Sequence, residues 1–184
     1  MDRCKWVNLN NPAYIEYHDR EWSQPQEDDR KLFELLILEG FQAGLSWECI
    51  LNKRASFQEA FDHFDPSVVA SYGEEKKAQL AQNAAIVRNK RKIDAAVKNA
   101  CVFLAIQKEY GSFLAYLKGF AGPGVIEEPY DSHTTSPLSD AISKDLKKRG
   151  MSFVGSTIIY SYLQAVGIIN AHGPECDLYP GRKK

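Results

Sequence analysis

The chain has 184 residues, 44% hydrophobic and 26% charged, with a formal net charge of −1. A chain of this length buries roughly 70% of the surface its unfolded form exposes, so a packed core needs no covalent staples. Such a composition argues against disorder, no apolar run approaches the ~20 residues of a bilayer span, and near-neutral charge leaves any attraction to nucleic acid to the local distribution of cations. The first residues, Met1-Asp2-Arg3-Cys4-Lys5-Trp6, show neither an apolar core nor a cleavage site, so the expected compartment is the cytoplasm. Cys4, Cys49, Cys101 and Cys176 are too sparse for a disulfide framework and read as thiols, some of them possible metal ligands.

Trp6, Tyr14, Tyr17 and Trp22 fall within seventeen residues of irregular, acidic sequence. Residues 16–39 hold eight acids against three bases. An apolar helix follows through Leu32, Leu35, Leu36 and Leu38 and is stopped by Gly40. Ser46 is placed to cap a helix from Trp47 to about Arg54, Ser56 and Glu59 form a capping-box pattern, and Asp65-Pro66 reads as an N-cap before a first-turn proline. A short turn between two helices within Leu80–Ile93 then leads into a long amphipathic helix over 90–110, closed by Gly111. Cys49 and Cys101 lie within helices and read as buried small hydrophobes. The stretch 119–137, with three prolines and three glycines, reads as the one long connection. Helices over 138–149, ending at Gly150, and 156–169, beginning at Ser156, complete the chain. No segment alternates with period two, so the expected fold is all-α, in two helical lobes within one domain spanning 1–184.

Three features carry chemistry. Cys4 and His18, with His172-x3-Cys176, have the composition of a closed Cys2His2 site, although isolated cysteines and histidines also serve as ordinary core or surface residues. The aromatic residues either pack together or line a pocket for a flat, electron-poor ring, with a carboxylate such as Glu39 answering its positive charge. Glu39 is unusual because it ends an apolar helix, where the dipole disfavours an acid. The third feature is cationic: Arg88, Lys90, Arg91, Lys92 and Lys98 face only Asp94 in the segment 88–98. Such a run is either a solvated helix face or, at a helix start with free backbone N–H groups, a site for a DNA phosphate.

Read together, Arg3-Cys4-Lys5-Trp6, Tyr17-His18-Asp19-x-Glu21-Trp22, Leu38-Glu39-Gly40-Phe41-Gln42-Ala43-Gly44-Leu45-Ser46-Trp47, Ser139-Asp140-Ala141, Lys147-Lys148-Arg149-Gly150-x-x-Phe153-Val154-Gly155 and His172-x3-Cys176 closely resemble the 3-methyladenine DNA glycosylase I family, of the helix-hairpin-helix superfamily. The resemblance covers essentially the whole chain. It implies a base-excision repair enzyme that frees 3-methyladenine from alkylated double-stranded DNA without cutting the strand, acting as a monomer with no membrane association. By the same resemblance, Cys4, His18, His172 and Cys176 bind a structural zinc that ties the termini together. Glu39 and Tyr17 hydrogen-bond the base as the catalytic pair, Trp47 stacks on it, and Trp6, Tyr14 and Trp22 wall it. Gln42, Gly44 and Leu45 probe the gap left by the flipped base, and residues 80–93 form the hairpin, with Arg88, Asn89, Lys90, Arg91 and Lys92 on the DNA. Two positions depart from the family pattern. Ala85 stands where a glycine is usual in the hairpin, and Ser23 where a glycine usually follows Glu-Trp.

Overall fold

The computed structural model describes residues 1–129 and 133–181. Among them are ten α-helices: α1 (Pro12–Arg20), α2 (Asp29–Gln42), α3 (Trp47–Asn52), α4 (Arg54–Ala60), α5 (Pro66–Ala70), α6 (Glu74–Gln82), α7 (Lys90–Tyr110), α8 (Phe113–Ala121), α9 (Pro137–Arg149) and α10 (Ser156–Ala165). No helix is long and apolar enough to cross a membrane among the described residues.

The central element is α2. Every residue from Leu32 to Phe41 is buried, so the helix is covered on all sides rather than amphipathic. Its leucines and phenylalanines belong to one continuous apolar cluster that also takes in Phe57, Phe61, Phe103 and Phe113. Each such side chain contributes about 1.5–3 kcal/mol on leaving water. The acid of this run nearer its start, Glu34, is satisfied: Arg54 and Gln58 donate to one carboxylate oxygen at 2.8 Å and Lys31 to the other at 2.9 Å. Arg54 also holds Glu21 through two bonds of 2.6 and 2.7 Å, so the end of α1 is fastened to α2 through α4.

Local punctuation fixes most helix ends. Ser46 Oγ accepts from Cys49 N, Asp65 Oδ1 from Ser67 N, and Asn89 Oδ1 from Lys92 N. Gly111 and Gly150 end α7 and α9 with φ of 87° and 107°. Elsewhere the structure corrects the expectation. The N-terminal segment is not irregular: Asn11 caps α1 ahead of Pro12. Ser56 caps nothing, because α3 runs into α4 through Lys53 alone and Ser56 lies inside α4. The start of 119–137 is the end of α8, and its residues 130–132 lie outside the described ones. The last helix ends at Ala165, not 169, and Ile169–Asn170 instead pairs in parallel with Ile126–Glu127. Cys101 faces solvent and Cys49 is half-buried, so neither is a core residue.

Just past the end of α10 the chain makes a close approach to a distant segment. Gly167 has φ +71°, and a Cβ there would sit 2.5 Å from Pro25 N and closer still to the Gln24 carbonyl carbon. The Gln24-Pro25 backbone therefore lies against a glycine that no other residue replaces. Gly167→Ala is expected to lower stability by about 3 kcal/mol or more, a fall of roughly 10 °C in Tm for a chain this size. Thermal unfolding of the variant checks this. Ser23 is strained in a related way, with φ 61° in the left-handed region, which accounts for the family's glycine. Its hydroxyl accepts from Ala171 N at 3.1 Å, a bond glycine would lack.

Candidate active site and metal centre

Glu39 lies one turn before the end of α2, with only 3% of its surface exposed. Nothing cationic faces it, and burial alone pushes its carboxyl up to about 8. Its Oε2 has no hydrogen-bond partner among the described residues. An uncompensated buried carboxyl is costly to the fold, and an apolar residue at the same place would not be.

Around it is a cavity of about 160 Å³ lined by Trp6, Tyr14, Tyr17, Trp22, Glu39, Gln42, Trp47, Ser161 and Gln164. A void of this order accepts a flat aromatic molecule. The aromatic residues foreseen from the sequence thus meet in one place, brought there by the N-terminal segment, α1, α3 and the end of α2. Trp6 packs on Trp22 at 4.7 Å and on Tyr14 at 5.4 Å between ring centroids, while Tyr17 tilts against Trp47 at 5.3 Å. Burial, with Glu39 second, raises the Tyr17 phenol, which therefore stays a neutral donor. The indole N–H groups of Trp6 and Trp47 are buried without partners among the described residues. Ser161 and Gln164 come from α10 and were not foreseen; their signal is a polar pair three residues apart, on the side of the helix opposite Ile159, Tyr162 and Leu163.

Gln42, Gly44 and Leu45 form the rim. Ala43 (φ −48°, ψ 115°) and Gly44 (φ +79°) make a type II turn, closed by Leu45 N donating to Gln42 O at 2.7 Å. The turn leaves Leu45, an apolar residue, 41% exposed beside the cavity. The hairpin between α6 and α7 closes on Asn83, whose Oδ1 accepts from Ala85 N at 2.9 Å. Ala85 has no positive φ, so alanine meets no penalty there. Arg88, Asn89, Lys90 and Arg91 are exposed at the start of α7. Lys92 departs from the expected DNA-facing role: it is 7% exposed, and its ammonium donates to Phe41 O at 2.8 Å and Ala43 O at 2.6 Å. Helical phase turns it inward with Ala95, Ala96 and Asn99.

Cys4, His18, His172 and Cys176 converge on the far side of the aromatic wall, all buried, with ligand atoms within 4.8 Å of one another. His172 Nδ1 lies 3.7 Å from Cys4 Sγ and 3.5 Å from Cys176 Sγ, and His18 Nε2 lies 3.6 Å from Cys176 Sγ. With zinc–sulfur bonds of about 2.3 Å and zinc–nitrogen bonds of about 2.0 Å, the sulfur–nitrogen edge of a tetrahedron is about 3.5 Å. The donor set therefore has the dimensions of a closed metal site. His18 Nδ1 donates to Asp19 at 2.8 Å, and Arg3 grips the same carboxylate at 2.6 Å, which fixes the ring with Nε2 toward the cluster. Burial lowers His172 to about 4, keeping it a neutral ligand, and pushes the Cys4 thiol up to about 12 in the absence of a cation.

These features have counterparts in known proteins. Residues 6–179 match the family described as methyladenine glycosylase. The chain is 44% identical to DNA-3-methyladenine glycosylase 1 of Escherichia coli K12, covering all of both chains. It superposes with a TM-score of 0.91 on a crystal structure of 3-methyladenine DNA glycosylase I, at 43% identity over 97% of this chain and 100% of the other. A further structure, a tyrosine-to-phenylalanine variant of 3-methyladenine DNA glycosylase I in complex with 3-methyladenine, gives a TM-score of 0.93 at 34% identity over the whole of both chains. With the match spanning nearly its full length, the chain belongs to the methyladenine glycosylase family.

Proposed function

We propose that the protein hydrolyses the N-glycosidic bond of 3-methyladenine in alkylated double-stranded DNA, freeing the base and leaving an abasic site in an unbroken strand. The observation that carries this is Glu39, buried without a counter-charge in an aromatic cavity large enough for one flat ring. N3-methylated adenine in DNA is a cation and already a good leaving group, so modest added catalysis suffices and the pocket supplies the selectivity. Flipping the base out of the stack costs a few kcal/mol, less for a damaged base. Once in the cavity, the cation is the partner Glu39 lacks, and neutral adenine is not. Tyr17 donates to the base, Trp47 stacks on it, and Trp6, Tyr14 and Trp22 exclude water around it.

The remaining roles follow from position. Gln42, Gly44 and Leu45 enter the gap the base leaves, and Arg88, Asn89, Lys90 and Arg91 hold a phosphate at the exposed start of α7. Cys4, His18, His172 and Cys176 would hold a zinc ion with four protein ligands, and the ion would supply structure rather than chemistry. The clasped termini and the hairpin helices form two lobes of one 1–184 domain that works as a cytoplasmic monomer. Among the described residues no lysine lines the cavity, so a Schiff base with the sugar is not expected and the strand stays whole. A duplex carrying one 3-methyladenine tests this: incubation leaves the strand intact until alkali is added and then cuts it at the lesion. Cutting without alkali overturns the monofunctional reading. No alkali-labile site from folded protein that still binds the duplex assigns it to lesion binding without catalysis.

A further inference from the structure

A lysine inside a core costs several kcal/mol in lost hydration, and methionine would fill the same space without that cost. Lys92 is nevertheless buried, and what it touches is specific. Its ammonium bridges the carbonyls of Phe41 and Ala43, the last acceptors of α2, which no backbone N–H of the helix reaches. Phe153 lies under the same ammonium, 6.0 Å from ring centroid to nitrogen. That ring is held by a backbone at φ 55°, a left-handed geometry disfavoured for phenylalanine. Asn99 maintains the geometry by bonding both the carbonyl and the amide of Ser152, at 2.8 and 2.9 Å. Gly40 closes the arrangement: a Cβ there would press on Phe153 O at 3.4 Å.

Ala43 is also the first central residue of the turn that carries Gly44 and Leu45, and Lys92 sits one residue past the exposed cations that begin α7. We propose that Lys92 is a positioning residue that locks the Gln42–Leu45 turn to the hairpin, so that a phosphate held at the start of α7 sets how far Leu45 enters the duplex. This rests on the glycosylase reading above, in which Leu45 fills the gap. The ammonium touches neither base nor sugar and acts through the turn alone.

The test is a double-mutant cycle of Lys92→Met and Leu45→Ala, read as kcat/KM on a duplex with one 3-methyladenine, beside tryptophan quenching by free 3-methyladenine. Lys92→Met is expected to lower duplex excision by roughly tenfold to a hundredfold with quenching unchanged. Leu45→Ala is expected to cause a similar loss, and the double variant to be little worse than either single one. Additive losses, or a weakened response to the free base, overturn the inference. So does a loss from Leu45→Ala with none from Lys92→Met. If Leu45→Ala has no effect, the reading of the turn itself fails. Where Lys92→Met does not fold, Lys92→Gln, with one amide donor group to span two carbonyls, carries the same comparison.

Discussion

Glu39→Gln is expected to lower excision of 3-methyladenine by roughly a hundredfold and at the same time to stabilise the fold. Both effects come from one fact, the burial of an acid with nothing to neutralise it. Glutamine keeps the shape and a hydrogen-bonding oxygen but cannot answer the charge of the lesion, which the cavity otherwise leaves uncompensated. The stability effect has a definite sign. Burial pushes the carboxyl from its ordinary 4.5 up to about 8 in the folded state, so its contribution is intact below about 4.5 and is lost as pH rises through about 8. Glutamine does not titrate. At pH 9 the variant is therefore expected to exceed the parent by roughly 2–5 kcal/mol in denaturant unfolding, with the gap closing near pH 4.5. Excision carries the opposite pH trend. The parent's kcat/KM is expected to rise between pH 6 and 8 as Glu39 loses its proton, and the variant's to stay flat. Equal stability of the two proteins at pH 9 would contradict the burial argument independently of any assay on DNA.

Removing the proposed zinc, or replacing one of its proposed ligands by Cys176→Ser, is expected to cost several kcal/mol and about 10 °C or more in Tm. The cluster joins residues near both ends of the sequence, beside a backbone contact in which Asp177 N donates to Asp2 O at 2.9 Å and Asp2 N to Asp177 Oδ2 at 2.8 Å. Base binding is expected to fall with it. The ring of Trp22 lies 4.9 Å from that of His172 and 6.0 Å from that of His18, and Trp6 lies 5.4 Å from His18. The two histidines of the Cys/His cluster are thus the backing of the aromatic wall. Elemental analysis is expected to find one zinc per chain, and chelation to remove both the metal and the quenching of tryptophan by 3-methyladenine. A Cys176→Ser protein that unfolds at the parent's temperature would show that the cluster does not hold a metal.

Much of the fold could be read from local punctuation, and the misses were non-local. Gly111, Gly150, Ser46 and Asp65-Pro66 mark helix ends that depend only on backbone geometry and adjacent side chains. Asn11-Pro12 is the same kind of mark for α1, but a helix made of tyrosines, a histidine and acids shows no clean apolar stripe. Gly167, just past α10, lies against Gln24-Pro25, far away in sequence, and the β pair joins segments more than forty residues apart. Neither is visible in a window of neighbours.

The candidate site divides in the same way. Glu39 was conspicuous because an acid beside four apolar residues contradicts its surroundings, and the structure leaves that contradiction standing. The ligand cluster is weak as spacing and becomes clear once the termini meet. Lys92 was hidden inside a run of cations, although its phase with Ala95, Ala96 and Asn99 separates it from Lys90 and Arg91. Ser161 and Gln164 reach the cavity only because α10 packs beside α2.

The most direct measurement is base release from a methylated duplex, with the freed purines separated and identified by mass. In the proposed pocket the amino group at C6 of 3-methyladenine would face Glu39, where 7-methylguanine would present a carbonyl oxygen that the carboxylate repels. The expected result is release of 3-methyladenine without 7-methylguanine, lost in Glu39→Gln. Comparable release of both purines, or undiminished release by the variant, would contradict a pocket built around that carboxylate.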